Sequence, residues 1–401
     1  MTTAGPGVAL ASTLAIQIFV SLVATATAVL APEIAPTFGI APKWLGVFVG
    51  LVYVGAMLAS LACGGFIERF GAIRVSQGAV VLCVIGAVVI GFAPDRAVAL
   101  LIVAALVIGV GYGPITPASS HVLIRTAPPD KLALTFSIKQ TGVPAGAALA
   151  GAALPGLALA LGWRTAFLVV AAAGIAVAVA AQYVRRSLDT DLRPGRRLTS
   201  AGVFAPLRLV WRSRALTELT TISFFYAATQ MCLTSFVVVY LTEAPQWSLV
   251  AAGLALTVTT LGGVAGRIIW GFVADRFLPP RRVLGMLGIV GCACSMALGS
   301  ADAAWPAFGV LCVAAVFGAS AIGWNGVWLA EVARNAPRDS TGAVTGAAGF
   351  ITFSGVVAGP PLFAMLAGVT GSYRAGFVVM GLLSGLCGLM LLLRATPRAN
   401  I

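Results

Sequence analysis

The sequence predicts an all-α membrane protein, with twelve transmembrane helices in two pseudo-symmetric six-helix bundles. Three observations lead there. Of the 401 residues, 60% are hydrophobic and only 9% are charged, against about 25% charged in soluble domains. Twelve apolar runs are each long enough to cross a bilayer as a helix, which takes about 20 residues. Two landmarks also recur at nearly one interval along the chain, the mark of a duplicated six-helix unit.

The runs fall at 8–31, 44–66, 75–93, 98–123, 132–160, 165–184, 216–241, 249–273, 283–300, 304–330, 341–369 and 375–394. None alternates in polarity as the shorter strands of a membrane barrel do. The first run has no Lys or Arg before it, so it is read as a retained span rather than a cleaved signal. Small residues repeat at helical spacing in Gly46/Gly50, Gly142/Gly146, Gly342/Gly346 and Gly355/Gly359. Such faces let helices approach closely.

The polar stretch 185–215 carries Arg185, Arg186, Arg193, Arg196, Arg197, Arg208, Arg212 and Arg214 against Asp189 and Asp191. It divides the chain into an N-terminal bundle (1–184), a linker (185–215) and a C-terminal bundle (216–401). No aromatic ladder interleaves these arginines, so nucleic acid is not expected as a partner. A linker facing anionic lipid is ordinary. With the linker inside the cell, loops on the same side add Arg69, Arg74, Arg125, Lys131, Arg276, Arg281, Arg282, Arg334, Arg338, Arg394 and Arg398. The other side receives only Lys43, Arg96, Arg164 and Arg374. That asymmetry predicts both termini in the cytoplasm. The Arg-, Ala- and Gly-rich composition suggests a bacterial inner membrane.

The repeat shows in GGFIERFG (64–71) and GFVADRF (271–277), whose acid–arginine pairs lie 207 apart. It shows again in LGWRTAFLVV (161–170) and GSYRAGFVVM (371–380), whose arginines lie 210 apart. Duplicated bundles usually hold substrate near the midplane.

Other chemistries find little support. Seven cysteines lie in or beside apolar runs without a metal-ligand pattern, so inert thiols are expected. Twelve acids and one histidine leave little from which to build an enzyme, and no P-loop occurs. No cofactor is expected, and a monomer is.

Gly64, Glu68, Arg69, Gly71 and Arg74 resemble the loop motif between spans 2 and 3 of the major facilitator superfamily, G-x-x-x-D-R-x-G-x-x-R/K, with Glu68 in place of Asp. Gly271, Asp275 and Arg276 repeat it between spans 8 and 9. The resemblance covers essentially the whole chain. It implies the major facilitator fold, alternating access, and a gating role for Glu68, Arg69, Arg74, Asp275 and Arg276. Such a loop can pair with neighbouring helix ends in one conformation and release them in the other. Taken without the resemblance, these are tight turns with solvated charges, each pair worth about 0–1 kcal/mol.

Every acid falls in a loop or at a span end, while Lys139 and Arg267 fall inside spans 5 and 8. Each lies eight residues from a charge at the basic end of its span, Lys131 and Asp275. Eight helical residues rise about 12 Å, close to the half-thickness of the hydrocarbon core, about 15 Å. A buried cation at that depth costs about 2.5–3.5 kcal/mol, which a bound anion offsets. The bland alternatives are snorkelling and, for Arg267, backbone carbonyls at the glycines 262, 263 and 266.

GRIIWGFVADR (266–276) is similar to span 8 of the monocarboxylate porters and oxalate/formate exchangers. In those families an arginine four residues before the loop-motif glycine contacts a substrate carboxylate, and Arg267 to Gly271 keeps that spacing. Gly263 stands where the proton-coupled porters have aspartate, and the lysine lies in span 5 rather than span 11.

Weaker cavity candidates are Gln17, Tyr112, Gln140, Tyr226, Gln230, Trp324 and Asn325, each as compatible with interhelical packing. His121, one turn before Arg125, is a candidate proton site, or a cap. The expected function is secondary transport of a small organic anion, a carboxylate, bound by Lys139 and Arg267. A proton or counter-anion would be the coupling partner and the bilayer the solvent. A drug/proton exporter and a nitrate-type inorganic anion porter are the alternatives.

Overall fold

The computed structural model describes residues 5–40, 45–193, 195, 200–243, 246–302 and 304–394. Lys43, Arg196, Arg197 and Arg398 of the charge count lie outside these residues, as does the side chain of Arg338. All regular structure among the described residues is helical. Among the described residues, twelve helices are long and apolar enough to cross a membrane: Pro6–Val29, Val47–Phe70, Ala72–Phe92, Val98–Thr126, Pro129–Leu161, Trp163–Leu188, Arg214–Glu243, Ala251–Arg276, Pro280–Ser300, Ala307–Asn335, Thr341–Thr370 and Tyr373–Leu393. They are called spans 1 to 12. The predicted runs lie within a few residues of these limits, except where helices continue into polar turns that hydropathy does not register, as span 10 does to Asn335. The linker adds a short helix, Ser200–Arg212.

Three spans are interrupted. Span 4 consists of Val98–Tyr112 and Ile115–Thr126. Span 5 holds Leu132–Gln140 and Gly142–Leu161. Span 10 holds Ala307–Ala321 and Asn325–Asn335. Proline explains two breaks: Pro114 and Pro144 lack the N–H that would close the turn behind them. Gly323, a poor helix former, lies in the third. The repeat interval maps the break in span 4 onto that in span 10.

The chain divides into two compact units. Unit 1 comprises Met1–Pro128, Lys139–Arg212 and Ala336–Phe350; unit 2 comprises Pro129–Ile138, Ser213–Asn335 and Ile351–Ile401. Each unit therefore takes in the start of one span whose remainder belongs to the other unit, span 11 in unit 1 and span 5 in unit 2.

In unit 1, span 1 packs on the second half of span 5. A Cβ at Gly146 would collide with the Ile18 carbonyl, so glycine there sets the close approach. The start of span 11 lies on span 2, where Ser60 Oγ donates to the Gly346 carbonyl at 3.0 Å. The Cβ position of Gly64 is filled by Ala343. In unit 2, Gly359 lets span 11 lie against Ala228 of span 7. Phe236 and Phe363 stack there at 4.5 Å, and Tyr240 Oη donates to the Ala301 carbonyl at 2.9 Å.

Candidate functional site

In unit 1, Lys139 lies in the last turn of the first half of span 5 and is 1% exposed. Its Nζ donates to Gln17 Oε1 at 2.7 Å, Gln140 Oε1 at 3.1 Å and Thr116 Oγ1 at 3.4 Å. These three oxygens come from spans 1, 5 and 4. An ammonium has three donors, and burial requires that polar groups find partners. The interruptions create the place: Thr116 opens the turn after Pro114, and Gln140 precedes the break at Thr141. Gln17 in turn donates to Ser21 Oγ at 3.1 Å. The structure thus brings the predicted Gln17, Lys139 and Gln140 together.

Unit 2 holds the matching group. Arg267 is 2% exposed, within the unbroken span 8. Its Nε donates to the Ile322 carbonyl at 3.1 Å. That carbonyl lies in the break of span 10, where the helix no longer uses it. Asn325 Nδ2 donates to it too, at 3.2 Å, and to Gln230 Oε1 at 3.1 Å. Gln230 Oε1 also accepts from Trp324 Nε1 at 3.2 Å. Arg267, Asn325, Gln230 and Trp324 therefore form one network around one carbonyl. Tyr226 packs edge-on against Trp324 with centroids 5.7 Å apart, and its hydroxyl donates to the Leu284 carbonyl of span 9 at 2.8 Å. Tyr226 is thus engaged in interhelical packing, as is Tyr112, edge-on to Tyr53 at 6.3 Å.

The second loop motif holds a helix start. Asp275 accepts from the backbone N–H groups of Ala133 at 3.0 Å and Leu134 at 2.7 Å, capping the first half of span 5, and it pairs with Arg334 at 3.5 Å. Anions at a helix N-terminus complete its unsatisfied N–H groups and oppose its dipole. Gly271 leaves room for Ser137 of the same segment. In unit 1, Gly71 has φ 96°, a conformation glycine adopts readily. Glu68 is 7% exposed, and its carbonyl accepts from Arg193 N–H at 2.7 Å. Arg69 lies over the Phe70 ring at 5.2 Å, and Arg74 Nη1 donates to Gln77 Oε1 at 3.0 Å. Arg276 extends from the last turn of span 8 and is exposed.

His121 belongs to a different arrangement. The linker residues 189–193 form a strap over unit 1. Asp189 caps span 3, accepting from Ile73 N–H at 2.8 Å and Arg74 N–H at 3.0 Å. Burial raises its carboxyl pKa, and those two N–H groups oppose the rise. Asp191 lies 2.7 Å from His121 Nε2 and also pairs with Arg125. Arg193 pairs with Asp339 at 2.9 Å. Nothing in the hydropathy pattern marks this strap; the two aspartates among linker arginines are its one trace.

Burial works to raise the Asp191 carboxyl. The hydrogen bond and charge of His121 and the charge of Arg125 outweigh it and bring the group down to about 2. The unfolded value is about 3.9. Because the folded value is the lower, this contact contributes stability above about pH 4 that is lost as pH falls toward 2. Asp191→Asn is therefore expected to melt below the parent at pH 7, with the gap closing between pH 4 and 2. Thermal melts across that range check it; a gap independent of pH would refute the ionic origin.

Known proteins share both sequence and architecture with this chain. Residues 13–360 match the Major Facilitator Superfamily. The hexuronate transporter of Bacillus subtilis (strain 168) is 21% identical over 370 residues, covering 89% of this chain and 87% of that protein. A probable sulfoacetate transporter, SauU, of Cupriavidus necator is 26% identical over 388 residues, covering 89% and 86%. Among solved structures, the Escherichia coli fucose:proton symporter FucP superposes with a TM-score of 0.77 at 15% identity, over 98% of this chain and all of that one. With twelve spans, a duplicated loop motif and a match across most of its length, the chain belongs to the Major Facilitator Superfamily.

Proposed function

We propose that the protein is a secondary carrier of a small organic anion, in the first place a carboxylate, that works by alternating access with Lys139 and Arg267 as its anion-binding cations. One observation carries the reading: each compact unit buries a cation against a break in a transmembrane helix. Interrupted helices recur at transport sites, because freed backbone groups and half-helix ends are polar where the rest of the span is not. The oxygens of Gln17, Gln140 and Thr116 solvate the Lys139 ammonium. A guanidinium offers a planar fork that fits a carboxylate at two points, while an ammonium adds a point charge.

Two further points support the reading. Relatives named for hexuronate and sulfoacetate handle organic anions. The spacing of Arg267 to Gly271 resembles that of the monocarboxylate and oxalate/formate porters. Under this reading the arginine-rich loops and both termini face the cytoplasm of a bacterium. Transport draws on a proton or counter-anion gradient, and the Glu68 and Asp275 loops form and release their contacts as the carrier turns over.

The test is a thermal-shift screen of purified protein against mono- and dicarboxylates, a hexuronate, a sulfonate, nitrate and lipophilic cations. An organic anion should raise Tm in the parent and not in Arg267→Ala. Stabilisation by nitrate alone, or by lipophilic cations and no anion, would overturn the assignment in favour of an inorganic anion porter or a drug exporter.

A further inference from the structure

Unit 1 carries a groove whose apolar lining the transport reading does not use. Its volume is about 620 Å³, and it runs between spans 2, 3 and 4. Span 2 contributes Ala59, Ala62, Cys63, Phe66 and Phe70; span 3 contributes Val75, Gly78, Ala79 and Leu82; Val110 and Pro114 close it from span 4. Small side chains make the floor, while Phe66 and Phe70, each almost half exposed, form a wall. A Cβ on Gly78 would meet nothing within 4 Å. The one charged lining residue is Arg74, at the start of span 3. Arg69 places a second guanidinium at the same end, over Phe70.

The dimensions are those of one leaflet. Ala59 to Phe70 is eleven residues and Arg74 to Leu82 is eight, so the groove is about 12–16 Å long at the helical rise. Half of a bilayer's hydrocarbon core is about 15 Å. The cations stand at the loop end, where head groups lie, and the apolar end reaches the depth of the span 4 break. A groove for a polar solute would carry polar groups along its length; this one carries charge only at its mouth.

We propose that the groove binds one acyl chain of an anionic phospholipid from the leaflet on the arginine-rich side, with the head-group phosphate on Arg74. A lipid tail gains no hydrophobic energy by leaving its neighbours for an equally apolar wall. Affinity must come from shape and from charge, and the groove supplies both. Asp189 of the linker, at the start of span 3, accepts hydrogen bonds from the backbone N–H groups of Ile73 and Arg74. The far end of the groove meets Pro114, in the break that precedes Thr116. An occupant therefore bears on the helix ends that hold Lys139.

The experiment titrates the purified full-length chain in detergent with dioleoyl-phosphatidylglycerol, dioleoyl-phosphatidylcholine, inorganic phosphate or dodecane. Bound lipid is counted by native mass spectrometry, and stability is followed by thermal shift. The parent should retain one phosphatidylglycerol and be stabilised by it more than by phosphatidylcholine. Phosphate and dodecane should do neither. Gly78→Leu fills the groove with a better helix former and should weaken phosphatidylglycerol binding at least tenfold without lowering the lipid-free Tm. Gly78→Ala, which leaves most of the groove open, should bind as the parent does. Arg74→Gln should erase the preference for the anionic lipid. Parent-like binding by Gly78→Leu overturns the proposal. So does equal stabilisation of the parent by phosphatidylcholine, by phosphate alone or by dodecane.

Discussion

Arg267→Lys is expected to lose at least tenfold in anion uptake although it keeps the charge. The native guanidinium is 2% exposed and already spends Nε on the Ile322 carbonyl. A guanidinium is a rigid planar fork; lysine has a single rotating head on a flexible stem. A lysine that reaches the anion leaves the carbonyl without this donor, and one that stays on the carbonyl surrenders the anion. A hydrogen bond to a charged group is worth about 1.5–3 kcal/mol, and about 1.4 kcal/mol is tenfold. Lys139→Ala is expected to fall further, because it removes the charge and strips a donor from Gln17, Gln140 and Thr116 together. Uptake of a labelled anion into proteoliposomes measures both variants. Melting curves of the same preparations separate a lost site from a lost fold. If Arg267→Ala and Lys139→Ala both transport like the parent, neither residue binds the cargo.

The sequence shows the helices that carry these residues and leaves out their breaks. Hydropathy finds every span, because the bilayer demands apolar length and little else does. Arithmetic on charge finds Lys139 and Arg267, because a cation inside an apolar run is costly wherever its helix turns. The resemblance, through the spans it implies line a cavity, points to Gln17, Tyr112, Gln140, Tyr226, Gln230, Trp324 and Asn325; all but the two tyrosines, which pack between helices, lie around those two cations or the Ile322 carbonyl. What the pattern does not show is that spans 4, 5 and 10 are interrupted. Apolar periodicity continues across Pro114, Thr141 and Gly323, so Thr116 and the Ile322 carbonyl do not stand out. Proline is the local trace for the first two; the third has only a glycine. Nor does the pattern show which charges meet. The sequence offers His121 as a proton site or a cap and does not show that Asp191 of the linker lies 2.7 Å from it. Arg214, Arg281 and Arg394 read as orientation charges until they are found on one carboxylate.

That carboxylate is Glu218, and Glu218→Gln is expected to cost about 3–5 kcal/mol, more than any other single change to the ion pairs. Glu218 lies near the start of span 7 in unit 2. Its Oε2 accepts from Arg281 Nη2 at 2.6 Å, and its Oε1 accepts from Arg394 Nη1 at 2.6 Å and Arg214 Nε at 3.1 Å. The three pairs are not equal. Arg214 and Arg394 are largely open to solvent, at 78% and 44% of their side chains, so each is worth about 0–1 kcal/mol. Arg281 and Glu218 are 6% and 7% exposed. Arg281 Nε has no acceptor among the described residues, so this guanidinium depends on Glu218 for its compensation. Glutamine keeps the shape and removes the charge, leaving a buried cation facing a neutral amide. Pairing the change with Arg281→Met removes the stranded charge as well, so the double variant should melt above Glu218→Gln alone. Denaturation in detergent, followed by circular dichroism, measures both. If the double variant is no more stable than the single, the loss comes from the exposed pairs or from packing, and the buried pair is not what closes this end of unit 2.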